Sequence, residues 1–265
     1  MPELPEVETA RLVIERSALD RRIVAVDDHD PYVCRPHSPG QIASALRGAT
    51  LDAVHRQGKS MWCDTSAGPI LGIHLGMAGK IVISAPDGTE IDGGDYWERG
   101  RTPGDHRWSR FGLTFDDGTQ LLLVDPRRLG RVRLDPPLGT LGPDAASITA
   151  GELAAALRPG RGPLKARLLD QRALAGVGNL LADEVLWRAG IDPARPVEEV
   201  TGRERATLLR SLRAAIAAAV RDGGVHTLTI VPHRRAGGHC PRDGAPLRRA
   251  TVGGRTTYWC PQHQT

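Results

Sequence analysis

The chain has 265 residues, 40% of them hydrophobic and 25% charged, with a net charge of +4 at pH 7. No extreme bias is present, which points to a globular protein of two modest domains, or one large domain with an appendage. No run approaches the ~20 apolar residues that cross a bilayer, and the opening Met-Pro-Glu-Leu-Pro-Glu lacks the basic start of a secretory signal, so membrane and secreted classes are set aside and the cytoplasm is the expected compartment.

In chain order, Val7, Ala10 and Ile14 recur at helical spacing and predict a helix over 6–19. A strand-rich region follows, with β-branched and apolar runs at 23–26, 51–54, 70–75 and 80–84. Runs at 111–115 and 120–124 flank Asp116-Asp117-Gly118 and read as a hairpin. Residues 85–108, rich in Gly, Asp and Pro, read as a long exposed loop. These elements suggest a β-sandwich or barrel closed by the N-terminal helix. Residues 135–147 form a Pro/Gly linker, after which helices are expected at 149–158, 163–170, 179–189 and 201–221. Gly223-Gly224 ends the last helix and a tail rich in Cys, His and Arg follows.

Charge is distributed unevenly. From Val231 onward, six arginines (Arg234, Arg235, Arg242, Arg248, Arg249, Arg255) face one acid, Asp243, and Arg127, Arg128, Arg131 and Arg133 cluster in mid-chain. Such clusters suit a polyphosphate as well as they suit a solvated face. Cys34 and Cys63 stand alone, whereas Cys240 and Cys260 near the end invite a metal reading rather than a disulfide framework. The segment Pro2-Glu3-Leu4-Pro5-Glu6-Val7-Glu8-Thr9 is a sound helix start, with proline in the first turn and acids on the positive end of the dipole. Three carboxylates at the front of a chain with such arginine clusters would nevertheless repel a phosphate, and so need another task.

The opening MPELPEVET resembles that of the formamidopyrimidine-DNA glycosylase/endonuclease VIII family. The resemblance implies that Met1 is removed and that Pro2 presents a secondary amine. An α-amino group titrates near ~8, so a useful fraction is neutral at cellular pH. Attack on C1′ of a damaged nucleotide would expel the base and form an iminium ion, which permits β- and δ-elimination. Glu3 would be the adjacent acid/base, and Glu6 matches a residue lining the base pocket.

Four further islands carry the resemblance. Lys59, in HRQGKS, matches a phosphate-contacting lysine beside the lesion, counted with the catalytic residues. In His74-Leu75-Gly76-Met77-Ala78-Gly79, His74 would meet phosphate and Met77 would fill the gap left by the flipped nucleotide. In Asp125-Pro126-Arg127-Arg128-Leu129-Gly130, Arg127 would face the orphaned base and Leu129 would be a second wedge, where many family members carry phenylalanine. Residues 162–190 resemble the family's helix–two-turn–helix, with Asn179 capping a helix whose free amides seat a phosphate and Lys165 near the lesion.

Zinc-finger members of the family end in two Cys-x2-Cys pairs sixteen residues apart. Here Cys240-Pro-Arg-Asp243 and Cys260-Pro-Gln-His263 keep that interval but change two ligands. One zinc ion on Cys240, Asp243, Cys260 and His263 is expected, with His239 as the alternative ligand and a metal-free hairpin as the alternative state. Arg255 matches the finger's phosphate-gripping arginine.

The resemblance thus implies an α+β multidomain protein. Its parts would be a catalytic β-sandwich with a terminal helix (1–134), a linker (135–147), a helix–two-turn–helix domain (148–230) and a zinc-finger-like hairpin (231–265). It would act as a monomer on double-stranded DNA containing damaged bases, in the cytoplasm and associated with the nucleoid. The short segment 223–238 leans the reading towards the endonuclease VIII branch and oxidised pyrimidines, with opened-ring purines next. The rival reading is a non-catalytic protein that binds damaged or abasic DNA on the same scaffold.

Overall fold

The computed structural model describes residues 2–96, 104, 106–139, 141–158, 160 and 162–265. Met1, whose removal the expected chemistry requires, lies outside them, as do residues 97–103 and 105 of the expected loop and residue 140 of the expected linker. The chain forms two compact units, one of Pro2 and Glu6–Leu138, the other of Glu3–Pro5 and Gly139–Thr265.

The N-terminal unit is a β-sandwich. Helix α1 (Leu4–Ser17) contributes Val7, Ala10 and Ile14, the helical stripe legible in the sequence, to its core. Strands β1 (Ile23–Asp27), β7 (Ser109–Phe115), β8 (Gln120–Val124), β5 (Lys80–Ser84) and β6 (Glu90–Gly94) form one antiparallel sheet in that order. The other holds β2 (Leu51–Gln57), β3 (Ser60–Thr65), β4 (Leu71–His74) and β9 (Arg131–Leu134). Phe111, Phe115, Ile23, Leu51 and Leu71 are fully or almost fully buried, each contributing about 1.5–3 kcal/mol relative to exposure. Short helix α2 (Gln41–Leu46) starts at the buried carboxylate of Asp28, which accepts from the amides of Gly40, Ile42 and Ala43.

Three strands escape the sequence patterns. β3 buries Met61, Cys63 and Thr65 in alternation while Trp62 stacks on His55 outside. β9 buries only Val132, set between arginines. β6 falls within the stretch expected to be loop and is mostly polar. A Cβ at Gly93 in β6 would come within 2.5 Å of the Thr9 carbonyl oxygen, so glycine here admits α1 against the strand.

The C-terminal unit is helical, with a terminal hairpin. Helices α3 (Ala150–Ala156) and α6 (Gly202–Asp222) both begin at capping boxes, Thr149 with Glu152 and Thr201 with Glu204. Helices α4 (Leu164–Leu169) and α5 (Asn179–Ala189) lie between them in sequence. Leu181, Val185, Leu186, Leu208, Leu212 and Ile216 form its core, which Leu4 joins from the chain's start. Strands β10 (Arg248–Val252) and β11 (Arg255–Trp259) pair across Gly253-Gly254, both at positive φ. No helix among the described residues is long and apolar enough to cross a membrane.

Candidate active site and nucleic-acid interface

The helix–two-turn–helix segment is organised around a carboxylate from the chain's beginning. Glu3 is fully buried, and its oxygens accept hydrogen bonds from the amides of Gly178 (3.0 Å), Leu180 (2.8 Å) and Leu181 (3.0 Å) at the start of α5. Leu4 N donates to Gly176 O at 3.1 Å, fixing the adjoining backbone. A Cβ on Gly178 would lie 2.2 Å from Glu3 Cδ, so only glycine leaves room for the carboxylate. An anion at a helix N-terminus meets both orphan amides and the positive end of the dipole.

This arrangement corrects two expectations. Gly178, not Asn179, is the N-cap of α5, and the amides expected to seat a phosphate hold Glu3 instead. Asn179 is the first helical residue and donates through Nδ2 to Thr256 O at 3.0 Å, bracing the hairpin. Glu6, in α1 of the other unit, is buried, as is Pro2.

In the N-terminal unit, the two expected wedges stand on loops that touch. Gly76 has φ +63°, and a Cβ there would fall 2.4 Å from the Leu129 carbonyl carbon, so glycine allows the two backbones to meet. Met77 (38% exposed) and Leu129 (42%) both project into solvent. The Asp125 carboxylate is fully buried and accepts from the amides of Arg127 (2.9 Å), Leu129 (2.8 Å) and Gly130 (2.7 Å), folding the DPRRLG segment around itself. The local signal for Asp125 is present in the sequence: an aspartate before Pro-Arg-Arg is a turn-former that binds the following amides.

The two adjacent arginines divide their tasks. Arg128 sits at φ +55°, donates through Nε to Asp30 at 2.9 Å and lies over the Tyr32 ring at 4.6 Å. Arg127 is exposed, and its side chain makes no hydrogen bond or ion pair among the described residues. Of the pair, Arg127 has the side chain left for a ligand.

His74 closes β4 beside a groove of about 350 Å³ lined by Ser60, Ile73, His74, Leu129, Arg131 and Arg133. Burial, reinforced by the charges of Lys59 and Arg133, holds the His74 pKa below its usual value. Its Nδ1 accepts from Gly76 N at 3.0 Å, which leaves the proton on Nε2. A neutral imidazole with an Nε2–H donor can meet a phosphate oxygen without carrying charge. Lys59 stands in the β2–β3 turn, close enough to bear on that imidazole.

Lys165, expected beside the lesion, is fully buried. Its ammonium sits 2.6 Å from Asp183 and donates to Thr257 Oγ1 at 2.7 Å. Arg234 engages the other oxygen of Asp183 at 2.7 Å, and Tyr258 N donates to that oxygen at 3.2 Å. These contacts fasten β11 to α4 and α5, with Arg255 exposed at the strand's start. Asp183 went unread in the sequence, although an acid pair within the apolar run LLADEVL is the mark of a buried charge seeking a partner.

The metal expectation meets a converged donor set. The ligand atoms of Cys240, Asp243, Cys260 and His263 all lie within 4.8 Å of one another, and His239 stands outside the group. His263 Nδ1 is 3.9 Å from Cys240 Sγ and 2.9 Å from an Asp243 oxygen, which is 3.2 Å from Cys260 Sγ. A tetrahedral zinc site with bonds of about 2.0–2.3 Å sets its donors roughly 3.3–3.8 Å apart. Trp187 Nε1 (3.3 Å) and the Arg242 amide (3.4 Å) donate to Cys240 Sγ, as they would to a thiolate ligand. The residues fit zinc. Cys34 and Cys63, by contrast, are buried and pushed up to about 12 by desolvation, and so remain thiols.

Comparison with known proteins agrees with this geometry. Residues 1–132 match the model of the formamidopyrimidine-DNA glycosylase N-terminal domain, and residues 140–230 that of the H2TH domain of the same enzymes. The formamidopyrimidine-DNA glycosylase of Chloroflexus aggregans is 34% identical over 98% of both chains, and that of Paracoccus denitrificans 35% identical over 98% of this chain and 99% of its own. The Lactococcus lactis Fpg in complex with abasic-site DNA matches with a TM-score of 0.81 at 25% identity, covering 99% of each chain. The same enzyme with Fapy-dG DNA matches with a TM-score of 0.81 at 26% identity, again over 99% of each.

The lean towards endonuclease VIII is not borne out, because relatives spanning the whole chain carry the formamidopyrimidine name. The short segment 223–238 misled: Val225, Leu228 and Ile230 within it are buried in packed turns, and the length of a connection varies without changing the family. With both domains matched and full-length relatives above 30% identity, the chain belongs to the formamidopyrimidine-DNA glycosylase family of DNA-repair enzymes.

Proposed function

We propose that the protein excises damaged bases, opened-ring formamidopyrimidines foremost, from double-stranded DNA and then cleaves the strand through a Schiff base on Pro2. The observation that carries this reading is the buried Glu3 carboxylate, fixed by three amides immediately after Pro2. A fixed anion beside a terminal amine takes the proton that the amine must lose before it can attack. The Pro2 nitrogen lone pair then bonds to C1′ as the glycosidic bond breaks with its electron pair on the leaving base, and the remaining N–H proton passes to that base. Glu3 returns its proton to O4′ as the C1′–O4′ bond opens, which leaves a ring-opened iminium. Loss of the acidified C2′ proton expels the 3′ phosphate, and a second elimination expels the 5′ phosphate.

Lys59, His74 and Arg255 would hold phosphates, Arg127 would face the orphaned base, and Met77 and Leu129 would fill the vacated stack. Glu6 would line the base pocket. Asn179 and Lys165 would act on DNA through the hairpin strand they brace, not by direct contact. Cys240, Asp243, Cys260 and His263 would hold one zinc ion, whose contribution is structural: it ties together the two turns at the base of the hairpin. Nucleoid association follows from the same reading.

Borohydride reduction with abasic duplex tests the central step. A covalent protein–DNA adduct on the Pro2 peptide is expected; a protein that binds the duplex but cannot be trapped is the non-catalytic binder instead. A panel of single-lesion duplexes orders the substrates, and formamidopyrimidines should lead. Metal analysis after growth with zinc should find one zinc per chain, and well under one would defeat the metal assignment.

A further inference from the structure

Six large hydrophobic side chains are exposed among the described residues, and three of them, Tyr32, Met77 and Leu129, stand on neighbouring loops of the N-terminal unit. Gly76 meets the Leu129 backbone, Arg131 Nη1 donates to Tyr32 O at 3.1 Å, and Arg128 lies over the Tyr32 ring. The two wedges of the proposed reading are aliphatic, whereas Tyr32, 57% exposed, supplies the ridge with a ring. From this geometry we infer that Tyr32, with Arg128 stacked upon it, is a base-stacking contact for the strand opposite the lesion. The inference rests on the proposed DNA reading of Arg127 and Leu129.

The platform is held ready before any ligand arrives. Asp30 Oδ1 accepts from the amides of Tyr32 (3.0 Å) and Val33 (3.1 Å), while its Oδ2 takes the Arg128 guanidinium at 2.9 Å. Val132 N donates to Val33 O at 2.9 Å, tying the Tyr32 loop to β9. Thus backbone and cation are fixed while the ring stays open to solvent. A left-handed conformation at a non-glycine residue costs about 1 kcal/mol, and at Arg128 it turns the guanidinium towards Tyr32 and Asp30 while Arg127 stays free. An aromatic face bearing a stacked guanidinium accepts any nucleobase, because every base has a π-face and the cation adds attraction. The surrounding Arg127, Arg131 and Arg133 suit the phosphates that accompany it.

The test uses the full-length protein and a duplex carrying a tetrahydrofuran abasic analogue. Tyr32→Leu, which keeps an apolar side chain but removes the ring, should raise Kd about tenfold. The slope of log Kd on log salt should not change, because no phosphate contact is lost. Tyr32→Phe should stay within about twofold of the parent protein. A Tyr32→Leu protein that binds as tightly as its parent overturns the inference, and so does an equal loss in Tyr32→Phe. An independent measurement needs no variant: 5-iododeoxyuridine placed opposite the analogue and irradiated should crosslink to the peptide carrying Tyr32, and crosslinks confined to other peptides overturn the proposal. Borohydride trapping of the same proteins on a duplex with a true abasic site separates the two readings, since its absence indicts Pro2 whereas normal trapping with normal Tyr32→Leu binding indicts Tyr32 alone.

Discussion

Gly178→Ala isolates the contact on which the proposed chemistry depends. The backbone at Gly178, with φ −115° and ψ −170°, is extended and open to any residue, so alanine carries no conformational penalty there. Replacing glycine at such a position would by itself stabilise the protein slightly, by about 0.4–1 kcal/mol. The added methyl, however, would lie 2.2 Å from Glu3 Cδ and 2.5 Å from its Cγ. The carboxylate must retreat by about 1 Å or more, a displacement that at a reacting centre costs about 100-fold in rate. A retreat of that size weakens the three charge-assisted amide bonds without abolishing them, forfeiting roughly half of the about 1.5–3 kcal/mol that each contributes net. A net destabilisation of about 3 kcal/mol is expected.

Urea unfolding and single-turnover excision on a formamidopyrimidine duplex measure the two consequences separately. A double-mutant cycle with Glu3→Ala gives the sharper test. Once the Glu3 carboxylate is gone, the methyl has no partner to displace, so Gly178→Ala should then cost almost nothing in either assay. Full additivity of the two substitutions, or a Gly178→Ala enzyme with normal rate and stability, would refute the contact as the organising feature of the site.

Arg255→Ala should weaken DNA binding almost uniformly across lesions and reduce the salt slope by about one, since each lost phosphate contact releases one fewer counterion; an unchanged slope would remove Arg255 from the interface. His74→Gln should weaken binding while leaving that slope intact, because the depressed pKa of His74 keeps it an uncharged donor. Lys165→Met leaves Asp183 with Arg234 and the Tyr258 amide, which both engage its other oxygen, and should cost about 3 kcal/mol in urea unfolding; a loss below about 1 kcal/mol would show that the buried pair adds little. Burial opposes the charge of Glu8, but Arg11 and Arg56 outweigh it and hold its pKa below the ordinary 4.5. A depressed carboxylate stabilises the fold above its unfolded-state value and ceases to as pH falls through its folded value. The stability gap between the parent protein and Glu8→Gln, about 1 kcal/mol at pH 7, should therefore hold down to about pH 4.5 and close at lower pH; a gap independent of pH would refute the ion pairing.

What the sequence revealed and what it hid divide along one physical line. Helix α1 was legible because a 3.6-residue stripe of apolar residues is a local signal, and the β7–β8 hairpin because Asp-Asp-Gly marks its own turn. Strand β9 was not, since Arg131 and Arg133 surround its one buried side chain and only pairing with β4 makes it a strand. The same limit applies to the site. The residues of the MPELPEVET, HLGMAG and DPRRLG motifs could be named, and Asp125 folds the last of them locally, yet what holds Glu3 and other parts of the fold in place is non-local. Asp28 serves amides 12 to 15 residues away, and Glu3 serves amides 175 to 178 residues away. A helix N-terminus with glycines before it reads, in sequence, as an anion seat, and that reading was chemically right about α5. The anion is the protein's own carboxylate, brought by the fold from the other end of the chain. A glycine-flanked helix start therefore predicts that a negative charge will be bound, while whether it comes from substrate or from a distant acid is decided by tertiary structure.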